Sequence, residues 1–275
     1  VRVSDDDGGI TEYDFPVVVR NLPPRLFEIV GNWPQLEEQE VAIQVIAQDP
    51  GRDPILIGYD LDHDGVFELE GPELDVATYS WPDNGQYTIA VRLVDDQGAT
   101  TIVEELIPIL NADPVIATVT NTGPVLEGSP VDLVVDATDT PADTLTYSFD
   151  LDNDDNFADD VLDQPSNVYT ATYRQQGIYI VGVRVRDEDN GRAIGSTAVE
   201  VLNAPPVGAI HAPEFVDEGE RFTVTVEAVD PGDDPVLFDW DVTGDGVYDL
   251  VNSIDTDQTL VFGQEGDITI TVRAQ

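Results

Sequence analysis

Apolar and polar residues alternate along this chain with a period of two. Val41, Ile43 and Val45 are separated by Ala42 and Gln44. Tyr87, Ile89, Val91 and Leu93 are separated by Thr88, Ala90 and Arg92, and Phe222, Val224 and Val226 by Thr223 and Thr225. Successive side chains of an extended strand point to opposite faces, so this period marks strands that bury one face and wet the other. No stretch keeps a helical period. Clusters of Gly, Pro, Asn and Asp stand between the apolar runs, where they close turns. Over residues 25–114 the pattern predicts strands near 25–32, 41–49, 54–61, 66–70, 75–81, 86–95 and 100–110. About seven short strands in about 90 residues predict an all-β, immunoglobulin-like sandwich. Tyr59, Phe149 and Trp240 fall at the same point of the third strand and are expected to fill the core.

The pattern repeats. V-R-V-S-D-D-D-G-G at Val1–Gly9 returns as V-R-L-V-D-D-Q-G at Val91–Gly98 and as V-R-V-R-D-E-D-N-G at Val183–Gly191. Its start stands again at Val272–Gln275. A-Q-D, A-T-D and A-V-D end at Asp49, Asp139 and Asp230, and N-x-x-P tails run from Asn21, Asn111 and Asn203. Landmarks in register over several periods of about 90 residues identify a tandem array. The expected divisions are residues 1–24, the terminal strand of a preceding repeat; two complete repeats, 25–114 and 115–206; and 207–275, a repeat lacking its last strand. Val1 and Val272 occupy equivalent points of the repeat. This frame is expected of an excerpt from a longer array. It also suits a head-to-tail filament, in which one copy donates a strand to the open sheet edge of an adjacent copy.

Charge narrows the possible partners. The chain has 275 residues, with 56 acidic against 11 basic, for a formal net charge of −45. Such a field repels nucleic acid and anionic membranes. No apolar run approaches membrane-spanning length, and the absence of cysteine removes disulfide and zinc–thiolate chemistry.

One densely acidic loop recurs in each repeat. Y-D-L-D-H-D-G-V-F-E at Tyr59–Glu68 spaces Asp60, Asp62 and Asp64 alternately, with Gly65 for the turn and Glu68 beyond. The second loop carries Asp150, Asp152 and Asp154, and the third Asp241, Thr243 and Asp245. Carboxylates packed this densely repel one another unless a cation lies among them. Ca²⁺, which takes six to eight oxygens in a flexible shell, suits positions 1, 3 and 5 of a tight loop. Position 9 is Glu68 in the first loop and Asp249 in the third; the second has Ala158 with Asp159 beside it. The bidentate Glu of an EF-hand is missing, since Gly71 stands at position 12, and the flanks are strands. The expectation is a Ca²⁺ loop on a β scaffold, weakest in the third repeat; the alternative is a solvated acidic turn.

These residues resemble tandem PKD (polycystic kidney disease-type) repeats of bacterial or archaeal extracellular proteins. The resemblance rests on V-x-E-G near Leu126–Gly128 and at Val216–Gly219, A-x-D-P at Ala47–Pro50 and Ala228–Pro231, W-D-x-x-G-D-G at Trp240–Gly246, G-x-Y-T-I-x-V-R at Gly85–Arg92, and the N-x-x-P tails. It covers essentially the whole chain. It implies immunoglobulin-like sandwiches used as spacer, adhesion or ligand-presenting modules on cell surfaces and in secreted enzymes. The first two repeats depart from it: Tyr59 and Phe149 replace the usual Trp, and D-x-D-x-D replaces G-D-G, which favours metal binding.

Head-to-tail stacking of such sandwiches would carry the acidic loop of one repeat towards Asp139 and Asp187–Asp189 of the next, with the linker Asn111-Ala112-Asp113 between them. Asn111, Asp113, Asp139, Asp187 and Asp189 are therefore candidates for an inter-repeat cation site. Catalysis finds little support. His63 and His211 have no nucleophile at recognisable spacing, and acids that recur in every repeat do not build one asymmetric cleft. The expected function is a non-enzymatic, extracellular, Ca²⁺-stabilised stalk, filament or adhesive spacer. Its expected partners are neighbouring repeats of the same or adjacent copies, with a surface polysaccharide or protein as a further candidate. The alternative is an accessory substrate- or carbohydrate-binding region of a secreted hydrolase, with Trp33 and Trp81 as candidates for an aromatic platform.

Overall fold

The computed structural model describes residues 1–158 and 160–275, and the regular elements among them are all β-strands. Two compact units result, residues 1–112 with 140–142, and residues 113–139 with 143–275.

The first unit opens with an antiparallel hairpin of Arg2–Ser4 and Ile10–Glu12. An exposed stretch without strands follows and is tied down at its end. Asn21 Nδ2 donates to Asp95 Oδ2 at 2.7 Å, and Thr101 Oγ1 donates to the Pro24 carbonyl at 2.6 Å. The first N-x-x-P tail thus clasps the sandwich that follows it. That sandwich has one sheet of Arg25–Gly31, Val41–Gln48 and Val76–Tyr79. The other orders Gln35–Leu36, Thr100–Leu110, Gly85–Val94, Leu56–Asp60 and Leu69–Pro72. The inward residues of the alternating runs make the core: Val41, Ile43, Tyr59, Ile89, Val91 and Leu93 are wholly inaccessible. Trp81 lies in this core against Tyr79 and Tyr87, and Trp33 packs on its edge. The two tryptophans suggested as an aromatic platform are packing residues.

Two features differ from the periodicity. The strand expected at 66–70 starts instead at Leu69, because Asp64–Glu68 are held in the preceding turn. The two-residue strand Gln35–Leu36 pairs in parallel with Ile109–Leu110, which a period-two signal is too short to announce. Just beyond it Glu38 sits at φ 58°, where the later repeats have Gly128 at 72° and Gly219 at 78°.

The second unit repeats the plan twice. In its first sandwich Val115–Asn121, Pro130–Thr138 and Val168–Thr172 face Val125–Leu126, Arg192–Leu202, Gly177–Arg186, Thr146–Asp150 and Val161–Gln164. Phe149 is wholly buried in this core. In its second sandwich Val207–His211, Arg221–Val229 and Asp257–Val261 face Leu250–Ser253, Phe238–Asp241 and Thr271–Ala274 around Trp240. Among the described residues no strand of that sandwich corresponds to Arg192–Leu202, and its set of fully buried residues is smaller.

The Tyr59 hydroxyl donates to the Leu74 carbonyl at 2.9 Å, and burial with nearby Asp75 pushes its pKa up to about 12. Tyr59→Phe, which installs the residue of the second repeat, is expected to cost about 1 kcal/mol for the lost hydrogen bond. Tyr59→Ala should cost about 3–5 kcal/mol through the cavity it leaves. Denaturant unfolding of both variants measures the difference. In the same experiment Glu38→Gly is expected to stabilise by about 0.5–1 kcal/mol, because glycine adopts positive φ without penalty.

Candidate metal centres

Each acidic loop begins where a buried aspartate ends the strand that carries the core aromatic of its sandwich. Asp60, Asp150 and Asp241 are all buried, directly after the core aromatic. A buried carboxylate needs hydrogen-bond donors, and here the loop supplies them. Asp60 accepts the Asp64 and Gly65 amides at 3.1 and 3.0 Å. Asp150 accepts those of Asp154 and Asp155 at 3.2 and 2.9 Å, and Asp241 those of Gly244 and Gly246 at 2.7 and 2.8 Å. The loop curls around its first residue. The third alternating acid caps the next turn in each case: Asp64 accepts Val66 N, Asp154 accepts Asn156 N and Asp245 accepts Val247 N.

Side-chain oxygens of Asp60, Asp62, Asp64 and Glu68 come within 4.8 Å of one another, as do those of Asp150, Asp152 and Asp154. In the second loop desolvation and then the charges of Asp154, Asp160 and Asp150 push the Asp152 carboxyl above its ordinary pKa. A carboxylate raised on folding opposes folding once it ionises, and that opposition fades as pH falls through the raised pKa. The folded loop therefore works against its own charge at neutral pH. Asp241, Asp245 and Asp249 do not gather in this way, and Thr243 supplies no carboxylate between them.

The closing acid is placed by the strand that follows it, not by counting from the first aspartate. Glu68 accepts Leu61 N at 2.7 Å, Asp160 accepts Leu151 N at 2.6 Å, and Asp249 accepts Val242 N at 2.8 Å. Each immediately precedes its return strand, which starts at Leu69, Val161 or Leu250. The second loop is longer, so counting nine positions lands on Ala158 and misses Asp160; Asp159 lies outside the described residues. The acid-before-strand signal was present in the sequence.

A second contact recurs in all three loops. The guanidinium of the V-R strand lies over the loop's aromatic ring: Arg92 over Phe67 at 4.0 Å, Arg184 over Phe157 at 4.6 Å and Arg273 over Tyr248 at 4.7 Å. Arg92 also bonds Glu70 at 2.8 Å. The arginine landmark thus pins the far limb of each acidic loop to the neighbouring strand. In the third repeat Arg273 also pairs with buried Asp239. The Asn252 amide first, and Arg273 with it, hold the Asp239 carboxyl below its usual range.

The remaining candidates are distributed differently. Asp139 and Asp187 come together with Asp143, which the repeat landmarks did not single out. Asp187 accepts the Asp189 and Gly191 amides at 2.9 and 2.8 Å, organising its own turn. Asp113 accepts Arg192 N at 3.2 Å, and Asn111 accepts from Asn84 at 3.5 Å. The expected approach of an acidic loop to the next repeat is not what the second unit contains. Asp230 of its second sandwich meets Glu127, and Asp150, Asp152 and Asp154 form a group of their own. The histidines pair with single acids, His63 with Glu104 at 3.3 Å and His211 with Glu227 at 3.9 Å.

No protein-family model matches the chain, and no curated protein does. Among solved structures it is similar to the PKD1 domain of Vibrio anguillarum Epp, at 18% identity over 34% of this chain and 100% of that one, with a TM-score of 0.28. It is similar to Drosophila OTK extracellular domains 3–5 at 12% identity, over 95% and 98% of the two chains, with a TM-score of 0.34. Sidekick-1 immunoglobulin domains 1–5 match at 13% identity and a TM-score of 0.40, over 81% of this chain and 48% of theirs. The sandwich architecture of this chain rests on its own strand order and repeat register.

Phe67→Ala or Arg92→Ala is expected to free the return limb of the first loop at a cost of about 0.5–2 kcal/mol for the lost cation–π contact. Amide exchange at residues 62–68 should quicken while that of Gly85–Val94 stays slow.

Proposed function

We propose that this array of tandem PKD/immunoglobulin-like repeats is a Ca²⁺-stabilised extracellular spacer, a mechanical element and not a catalyst. The observation that carries the reading is the convergence of Asp60, Asp62, Asp64 and Glu68 around one point of the first repeat, repeated by Asp150, Asp152 and Asp154 in the second. A Ca²⁺–oxygen distance of about 2.3–2.6 Å places ligand oxygens within about 5 Å of one another, the spacing these carboxylates have. The cation would supply the positive charge each loop lacks. The protein's part is to hold the oxygens, through the buried first aspartate, the closing acid on the returning backbone and the arginine clamp behind the aromatic.

A spacer must resist bending and proteolysis at its loops, and a cation that fills an acidic loop serves both. Repetition of the same acids in successive sandwiches suits a load shared along an array. The remaining acidity is far in excess of what these loops bind, since the net charge is −45. It serves as a solvated surface that keeps the array soluble and repels like arrays.

Thermal unfolding with Ca²⁺ and with chelator tests the reading. At about 100 times its dissociation constant, Ca²⁺ is expected to add about 2.7 kcal/mol per independent site. Asp62→Asn with Asp64→Asn, both exposed, should abolish the gain of the first loop and leave the metal-free fold intact or slightly more stable. Small-angle scattering should report a stiffer particle with Ca²⁺. Melting and scattering that ignore Ca²⁺ would overturn the proposal.

A further inference from the structure

The second unit contains another group of carboxylates, set between its two sandwiches. Glu127 follows the short strand Val125–Leu126 of the first sandwich; Asp230 and Asp234 belong to the turn after Arg221–Val229 of the second. Their side-chain oxygens come within 4.8 Å of one another. Glu127 is 1% exposed and Asp230 8%. Asp230 turns one oxygen to its own loop, accepting Gly232 N at 2.7 Å and Asp234 N at 3.3 Å. Glu127 turns Oε1 to the exit linker, accepting Ala204 N at 2.8 Å.

Glu127 Oε2 is buried and has no hydrogen-bond partner. It points at the 230–234 turn: a Cβ on Gly232 would stand 2.4 Å from Glu127 Cδ and 2.6 Å from Oε2. The two sandwiches close on each other here without room for side chains. A Cβ on Gly128 would meet the Pro231 carbonyl at 2.4 Å. Gln175 crosses the same junction, donating to Gly232 O and to Asp234 Oδ1, both at 2.9 Å. The basic residue alongside, Arg174, pairs with Asp233, and among the described residues no ion pair reaches the three carboxylates. Burying a carboxylate oxygen without donor or counter-charge is strongly unfavourable, so the geometry calls for a positively charged partner at this point.

We infer that Glu127, Asp230 and Asp234 form an inter-repeat site for a hard divalent cation of the Ca²⁺ type, which locks the second repeat to the third. The inference rests on the reading of the chain as a cation-stabilised array, but it uses none of the acidic-loop ligands. All three donors are carboxylates, which excludes a preference for soft metals. Neutralising three converging charges requires a cation, which a bridging water is not.

The test uses the full chain, with Ca²⁺ as the probe and Mg²⁺ as a parallel arm. Bound Ca²⁺ is counted by calorimetry, and amide exchange is followed at residues 230–235. The variants are Glu127→Gln, which keeps the acceptor for Ala204 N; Asp234→Asn, at the partly exposed edge; and a loop variant with Asn at 62, 64, 152 and 154. Ca²⁺ is expected to slow exchange of residues 230–235 at least tenfold in the parent and in the loop variant. In Glu127→Gln and Asp234→Asn that protection should vanish while Ca²⁺ binding by the acidic loops persists. Glu127→Gln should also be more stable than the parent in chelator, since it removes one of three repelling charges. Parent-like protection in both junction variants, or no slowing in the parent while the loops still bind Ca²⁺, overturns the junction site alone. Protection that survives in a loop variant with unchanged Ca²⁺ stoichiometry overturns the acidic-loop reading and leaves the junction site standing. A parent that binds neither Ca²⁺ nor Mg²⁺ overturns both.

Discussion

A buried carboxylate at the end of the strand that bears the core aromatic is the constraint on which each sandwich of this protein turns. Asp60, Asp150 and Asp241 each follow an aromatic residue that is wholly buried, so the backbone that places the ring in the core also places the acid below the surface. A carboxyl group there needs donors, and two backbone amides three to five residues further on provide them in each loop. The core thus dictates the loop. Once the chain curls around the first aspartate, the alternating acids of the first two loops are held close to one another whether or not they repel.

The same logic explains the basic residue in each V-R landmark. A loop wound around its own charge has few apolar contacts of its own and needs an anchor on its outgoing limb. The ring of Phe67, Phe157 or Tyr248 provides it, covered by the arginine of the adjacent strand. In a chain with so few basic residues, three of the arginines serve this one purpose. All three make ion pairs as well, Arg92 with Glu70, Arg184 with Asp163 and Arg273 with Asp239, each an acid of its own sandwich.

The glutamate of V-x-E-G, and Glu37 at the same point of the Q-L-E-E stretch of the first complete repeat, play the corresponding part at the exit of a repeat. Glu37 accepts Ala112 N at 2.7 Å as Glu127 accepts Ala204 N at 2.8 Å, so in both complete sandwiches a buried glutamate fixes the linker that leaves the domain. One carboxylate oxygen is spent on the backbone. In Glu127 the other is left over, at the place where the next sandwich arrives.

Strand period, repeat register and the identity of the core aromatics were legible in the residues alone, because each depends on local alternation or on spacing along the chain. The aspartates of the loops were legible for the same reason: positions 1, 3 and 5 of a turn are neighbours in sequence before they are neighbours in space. Other assignments needed the fold. Asp160 was obscured by the longer second loop, since its place is set by the hairpin partner and not by distance from Asp150. The meeting of Glu127 with Asp230 and Asp234 joins residues about a hundred positions apart, so no local pattern could announce it. Trp81 and Trp33, equally at home on a surface or in a core by composition, were placed in the core and against its edge by the sheets that close around them. The chain alone determined which residues carry charge and which face each strand buries. Only the packing of sheet on sheet, and of one sandwich on the next, decided which of those charges must share a space with too few donors to satisfy them.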